Sequence, residues 1–445
     1  MISETEDVRL ILAAALEAID PGKAVASACA LEGDTLEIGG WRGTLSALDR
    51  ILVAGAGKAA VPMAGAIADI LPVALDGGIV ITSRGSVPAG SELSGIETVE
   101  AAHPVPDEDG VAAARRILDL AAGAGERDLL ICLWSGGGSS LLTLPADGLR
   151  LDDLRRVTEA LLLSGADITQ INTVRKHLSA VKGGLLARAA APATVCALLI
   201  SDVVGDRLDT IASGPTAPDG TSFGDALAAL EYHGLSRKVP RRVSDRLRAG
   251  RDGGIPPNPT AADPIFSRVH NRIVASNSTA TAAAIQAARS LGLNAVLVSG
   301  EMEGEAREMG RQVGRFARET AEGRGPAAPP ACLVFGGETT VTVRGGGTGG
   351  RNQELALAAA IELDGAEGIC VGAFSTDGVD GPTRAAGALV TGDTVRRAAR
   401  FGMDPATYLD DNDSNTFFCE LRDLIRTGPT YTNVADVIVA VIRPL

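Results

Sequence analysis

Three apolar segments in the first half of the chain each end in a glycine-rich or polar loop, and this pattern constrains the fold most. Arg50–Ala60 reads as an apolar strand, a Gly55-Ala-Gly57 turn followed by Lys58, and the start of a helix running to about Leu71. Leu129–Trp134 reads as a buried strand ending in Ser135-Gly136-Gly137-Gly138-Ser139-Ser140. Thr194–Ile200 reads as a strand ending in Ser201-Asp202. Gly77–Ser83 and Gly95–Ala102 add strands, while Asp107–Ala122, Leu151–Leu163 and Ile168–Ala190 read as helices. Strands alternating with helices specify an α/β fold with a parallel sheet and helices on both faces. Ligands of such sheets sit beyond the carboxyl ends of the strands. The three loops therefore fall on one edge, where N–H groups and hydroxyls suit phosphate.

The chain has 445 residues, too many for one ordinary core. Residues 250–264 (GRDGGIPPNPTAADP) are rich in glycine and proline and have no apolar period, which is linker composition. This places one α/β domain at 1–249 and a second at 265–445. Glu4–Ile19 reads as a helix of the first, with Ser3 and Glu6 at capping-box spacing. In the second, Arg272–Ser276 and Ala295–Ser299 read as strands, Thr279–Leu291 and Glu305–Glu322 as helices. Ala331–Val343 reads as two strands joined at Gly336-Gly337, and the alternation in TTVTV makes the latter a half-exposed antiparallel strand of a mixed sheet. Ile369–Phe374 and Val437–Ile442 are further strands, and Thr394–Thr427 is helical material.

Five glycines crowd into Gly345–Gly350, followed by Arg351 and an alanine-rich helix. A glycine turn feeding a helix leaves N–H groups unpaired at the positive end of the helix dipole, which favours an anion. Arg351 adds a planar fork suited to phosphate or carboxylate. Lys58, also at a helix start, is unfavourable there by a few tenths of a kcal/mol, roughly, unless an anion is shared with the helix.

A net charge of −14 and 3% aromatic residues argue against nucleic-acid binding. No run is long and apolar enough to span a bilayer. The six cysteines are scattered without a CxxC pair, so buried free thiols in a reducing, cytoplasmic compartment are expected. The four histidines lack metal-ligand spacing. GAGKAA also fits a dinucleotide GxGxxA pattern, but that reading needs an acid at the end of the next strand. That strand ends Ser83-Arg84, and Asp76 precedes it. Neither GxxxxGK[ST] nor a protein-kinase HRD or DFG set is present, and Ser135–Ser140 is not a GxSxG elbow.

Taken together, GAGKAA, SGGGSSLL, NTVRKHLSAVKGGLLA, LLISDVVGDRLDTIASGPT, GGETTVTVRGGGTGGRNQELALAAA and STDGVDGPTRAAGALV, in this order, closely resemble the class II glycerate 2-kinases. The resemblance implies an N-terminal Rossmann-like domain, a C-terminal MOFRL domain and ATP-dependent phosphorylation of D-glycerate at its 2-hydroxyl. Members of that family have often been labelled hydroxypyruvate reductase, so an NAD(P)H-dependent reductase is the alternative activity, and a non-catalytic nucleotide- or anion-binding protein the second. The family's functional lysine matches Lys58 and its functional arginine Arg351. On this reading ATP and Mg²⁺ lie in a cleft between the domains. Gly55, Gly57, Ser135–Ser140, Ser213 and Gly214 contact the nucleotide. Arg351 binds the glycerate carboxylate or the phosphoryl group, and Arg175 and Lys176 are candidate second contacts. Asp202 and Asp377 are candidates to hold Mg²⁺ or to accept the hydroxyl proton. His177 reads as a structural histidine, and Asp410, Asp411 and Asp413 as a solvated turn. The oligomeric state is not legible.

Overall fold

The computed structural model describes residues 3–71, 75–88 and 90–444. The chain forms two compact units, one of Pro21–Val274 and one of Met1–Asp20 with Ala275–Leu445. We refer to them as the N-terminal and C-terminal units. Among the described residues, no helix is long and apolar enough to cross a membrane.

The N-terminal unit is built on a six-stranded sheet. Across the sheet the strands are Ile96–Ala101, Gly77–Ser83, Ile51–Ala56, Leu129–Trp134, Thr194–Ile200 and Val269–Ala275. The first five pair in parallel. Ile51–Ala56 and Leu129–Trp134 are buried at every residue, as continuous apolar strands covered on both faces must be. Counted in chain order within this sheet, the strand order is 3-2-1-4-5-6. It reverses direction between Ile51–Ala56 and Leu129–Trp134, so the loops after these two strands flank the topological switch point. Before the sheet, Cys29–Glu32, Thr35–Ile38 and Trp41–Thr44 form a small antiparallel meander that the sequence pattern does not announce.

The C-terminal unit has a mixed six-stranded sheet in the order Asn294–Met302, Ala331–Gly337, Asp436–Ile442, Ile369–Ser375, Gly387–Thr391 and Leu424–Ile425. Its first pair is parallel and the others are antiparallel. The helix Arg351–Glu362 is buried over most of its length and shares a core with Val313, Phe335, Val371 and Ile438.

The structure departs from the sequence expectations in six places. The helix Glu4–Ala18 belongs to the C-terminal unit rather than to a domain at 1–249. Val8 and Leu12 sit against Gly372, and Asp7 pairs with Arg443 at 2.6 Å. Residues 250–264 are not a free linker but part of the N-terminal unit. Asn258 is buried and donates to Asp219 at 2.8 Å, Asp219 N–H donates to the Pro259 carbonyl at 2.9 Å, and Arg188 donates to the Pro257 carbonyl at 2.8 Å. Proline-rich chain can be held this way because its carbonyls remain free to accept. Third, Val269–Ala275 closes the N-terminal sheet, fixed by Asn271, which donates to the Thr216 carbonyl at 2.9 Å.

Fourth, Ile168–Ala190 is two helices, Ile168–His177 and Leu185–Ala190, broken where Gly183 and Gly184 adopt φ of +57° and +78°. Fifth, TTVTV is not a strand. Its polar groups find partners in Glu305, which accepts from both the Thr342 N–H and hydroxyl, so no ladder forms beyond an isolated bridge at Thr340. Sixth, Thr394–Thr427 resolves into three short helices and the strand Leu424–Ile425.

The anchoring of residues 250–264 is testable. Asn258→Ala strips a buried donor from Asp219 and should lower unfolding free energy by about 1–3 kcal/mol in urea titrations. A mobile linker predicts an unchanged midpoint.

Candidate active site

At the switch point of the N-terminal sheet two loops are joined by backbone contacts. Lys58 N–H donates to the Gly136 carbonyl at 2.9 Å, and Ala59 N–H donates to Ser135 Oγ at 3.0 Å. The approach requires glycine: Gly57 has φ of +136°, and a Cβ there would overlap Ser135 Oγ. Gly138 presses on the same region, since its Cβ would stand 3.0 Å from the Ala56 carbonyl oxygen. Lys58, half-buried, is thus fixed beside the Ser135–Ser140 loop.

A third segment completes this edge. Ser139 Oγ lies 2.9 Å from Ser213 Oγ, which donates to Asn172 Oδ1 at 3.1 Å. Ala212 and Ser213 both take left-handed conformations, with φ of +51° and +62°, before Gly214 at +62°. Two consecutive non-glycine residues there cost about 1–2 kcal/mol each. Gly183 and Gly184 hold the turn by donating to the Ser213 and Gly214 carbonyls at 3.0 and 2.7 Å. Trp134 Nε1 donates to Thr216 Oγ1 at 3.1 Å and ties the end of its strand to the same turn. Asp202, half-buried, follows the neighbouring strand Thr194–Ile200 on this edge. The structure therefore gathers Gly57, Lys58, Ser135–Ser140 and Ser213-Gly214 into one site.

The basic residues behind these loops divide sharply. Lys176 is buried and ion-paired with Asp209 at 3.0 Å and Asp219 at 3.5 Å, so it is a structural cation and not a second ligand contact. The Arg175 guanidinium makes no hydrogen bond or ion pair among the described residues, and burial lowers its pKa. Lys182, which the sequence reading passes over, is buried and donates to the carbonyls of Ser139 at 2.8 Å and Leu142 at 2.9 Å. Burial, with Arg175 nearby, pushes its pKa down to about 7. The signal for it is present in VKGG, a lysine immediately before the two glycines that break the helix. His177 is a core residue, edge-on to Phe223, and burial lowers its pKa.

In the C-terminal unit the glycine-loop donors are already engaged. Arg344 and Gly345 N–H groups donate to Asn412 Oδ1 at 2.7 and 3.1 Å, Gly346 to Asp411 at 2.9 Å and Thr348 to Asp413 at 3.0 Å. The acidic turn is thus a partner of the loop and not merely solvated. At the helix start, Asn352 and Gln353 N–H groups donate to Asp380 at 3.1 and 2.9 Å. The protein's own carboxylate fills the anion position expected there. Burial raises the Asp380 pKa to about 6 against these donors, with the Asp436 charge adding to the rise.

Arg351 is a paired cation. It grips Asp436 through Nε at 2.5 Å and Nη2 at 2.9 Å and meets Glu338 through Nη1 at 2.6 Å. Burial opposes its charge, but these carboxylates hold its pKa above the usual range. Asp436 is buried, at the start of a central strand between Gly337 and Ser375, and no local sequence signal marks it. Glu338 is partly exposed. Asp377 caps its own turn, accepting from Ser375 Oγ at 3.0 Å and Val379 N–H at 2.9 Å.

Asp76 also finds a place. It accepts from Ile51 N–H at 2.8 Å, at the amino end of the strand, where it faces away from the ligand edge. Among the described residues, no group of three or more His, Cys, Asp or Glu side chains is arranged to hold a metal ion by itself.

Two family models match the chain: a domain of unknown function, DUF4147, over residues 7–248, and the MOFRL family over residues 331–436. A glycerate 2-kinase from Pyrococcus horikoshii is 42% identical over 96% of this chain and 95% of its own length. A relative from Agrobacterium vitis, provisionally labelled a hydroxypyruvate reductase, is 45% identical over 87% of this chain and 86% of its own. The crystal structure of a glycerate kinase from Thermotoga maritima superposes with a TM-score of 0.87 at 40% identity, covering 98% of this chain and 99% of that one.

Asp380→Ala leaves two buried helix-start N–H groups without their acceptor. The expected loss is about 1–3 kcal/mol of unfolding free energy in urea. A helix start reserved for a solute anion would lose little.

Proposed function

This chain belongs to the glycerate 2-kinase family that joins a DUF4147 to a MOFRL domain, and we propose that it transfers the γ-phosphoryl group of ATP to the 2-hydroxyl of D-glycerate. The observation carrying this reading is the union of the Lys58 and Ser135–Ser140 loops at the switch point of a parallel sheet. Phosphoryl transfer asks a protein for positioning and charge neutralisation rather than covalent help. The loop hydroxyls and the lysine beside them supply those needs, while the N–H groups of Ser135, Gly138, Ser140, Ser213 and Gly214 are taken by backbone carbonyls.

In this mechanism the Ser135–Ser140 and Ser213-Gly214 segments hold the phosphates. Lys58 meets charge on the transferred group as the bond to the ADP oxygen breaks, the bond to the glycerate oxygen forms and the hydroxyl proton leaves to a nearby carboxylate or to water. Arg351 serves the same reaction by exchanging its partly exposed Glu338 contact for the substrate's anion, while Asp436 keeps the guanidinium oriented. Mg²⁺ carried by a nucleotide needs only one or two protein carboxylates. Asp202 is the acid on the phosphate edge to hold it; Asp377 has one oxygen committed to its own turn. The cation would neutralise phosphate charge. We place the enzyme in a reducing cytoplasm, on the strength of its five buried free thiols.

A reductase built on the GAGKAA turn would need a carboxylate for the cofactor ribose at the ligand edge. The nearest in sequence, Asp76, is committed at the opposite end of the strand.

Phosphorus NMR of a reaction with ATP and D-glycerate should show 2-phosphoglycerate and ADP. A 3-phosphoglycerate signal, or no new phosphate ester, would refute the assignment. Lys58→Ala should lower kcat about 10²–10³-fold with the fold intact by circular dichroism, and a near-normal rate would remove Lys58 from the chemistry. Arg351→Ala should mainly raise the KM for glycerate if the guanidinium binds the carboxylate; an equal fall in kcat and kcat/KM would place it on the phosphoryl group instead.

A further inference from the structure

Next to the Ser135–Ser140 loop lies a cavity of about 710 Å³, within the size range of small-molecule sites. Its walls are largely apolar: Pro104 and Val105 on one segment, Leu154 and Leu162 on the helix Leu151–Leu163. Val105 and Leu162 are each 59% exposed, although both are large aliphatics. Arg155 pins the wall by donating through Nε to the Pro106 carbonyl at 2.8 Å. The cavity also reaches Ser139, Ser140, Arg175 and Lys182.

Of the four cations lining it, Arg156 is paired with Asp152 and Arg155 is tied to the Pro106 carbonyl, while Arg175 and Lys182 meet no carboxylate among the described residues. Lys182 donates only to backbone carbonyls, and the Arg175 guanidinium has no polar partner among the described residues. Two carboxylates line the cavity, Asp152 and Glu159; Asp152 is paired with Arg156 at 2.8 Å, and neither meets Arg175 or Lys182. Burial lowers the Lys182 pKa, and the nearby Arg175 charge adds to the fall. A polyanion set between them would relieve both penalties. A three-carbon acid would leave the apolar walls bare, whereas a flat purine would cover them.

We propose that this cavity is the nucleotide seat, with the purine base between Val105 and Leu162 and the phosphates directed to Arg175, Lys182, Ser139 and Ser140. The proposal rests on the kinase reading and locates the donor within it. The Ser135–Ser140 loop then links the base pocket to Lys58, which bonds to the same loop at Gly136.

Equilibrium titration calorimetry on the full chain tests it with three probes: ATP, adenosine and inorganic tripolyphosphate. Arg175→Met, which strips no partner of a bond, should weaken ATP and tripolyphosphate at least about tenfold and leave adenosine unchanged. Val105→Asp, at an exposed site, should weaken ATP and adenosine but not tripolyphosphate. In steady-state assays both should raise the KM for ATP and leave that for glycerate unmoved. Unchanged ATP affinity in both variants would overturn the site, and so would loss of a dimer on Val105→Asp with ATP binding intact, which would make the cavity an interface between copies. Wild-type product analysis separates the two levels. If 2-phosphoglycerate forms while the variants bind ATP normally, the site fails and the kinase stands. If no phosphoglycerate forms while Arg175→Met and Val105→Asp show the binding losses above, the nucleotide seat stands without the reaction.

Discussion

Two contacts, Lys58 N–H to the Gly136 carbonyl and Ala59 N–H to Ser135 Oγ, hold together the loops at the switch point of the N-terminal sheet. They bring together the loops of two parallel strands at the one place in the sheet where the strand order reverses. Such a place offers a crevice with no helix crossing over it. Glycine at position 57 makes the approach sterically possible, and a serine rather than a helix-own side chain satisfies the Ala59 N–H. Around this junction the chain accepts left-handed backbone at Ala212 and Ser213, a cost that other contacts of the unit must offset. The consequence is that the backbone of Lys58 is held beside the Ser135–Ser140 loop.

The cations illustrate how partners, and not residue type, decide a role. Arg175, Lys176 and Lys182 lie within eight positions of one another and read alike as basic helix and turn residues. In the fold Lys176 is consumed by Asp209 and Asp219, while Arg175 and Lys182 face a cavity with no carboxylate on either. Arg351 is different again: its bidentate hold on Asp436 fixes orientation, and its Glu338 contact lies on the more exposed side.

Much of the N-terminal architecture is legible in the sequence because buried parallel strands are continuous apolar runs and their loops carry glycine where backbone must approach backbone. The ligand edge follows from that pattern alone. What escapes is decided by long-range hydrogen bonding. Residues 250–264 have linker composition, yet Asn258 and the carbonyls of Pro257 and Pro259 anchor them. The alternation of TTVTV promises a ladder, but Glu305 supplies a closer acceptor. The Gly345–Gly350 loop has every local mark of an anion site, and the anions turn out to be Asp380, Asp411 and Asp413 of the chain itself. Asp436 and the cavity walls have no local signature at all.

The central claim is that this scaffold moves a phosphoryl group rather than a hydride. Its most direct test is to assay one preparation for both reactions: ADP formation from ATP with D-glycerate, and NADH or NADPH oxidation with hydroxypyruvate. The account predicts ADP release that saturates with both substrates, and no nicotinamide oxidation. Nicotinamide oxidation without glycerate-dependent ADP release would contradict it.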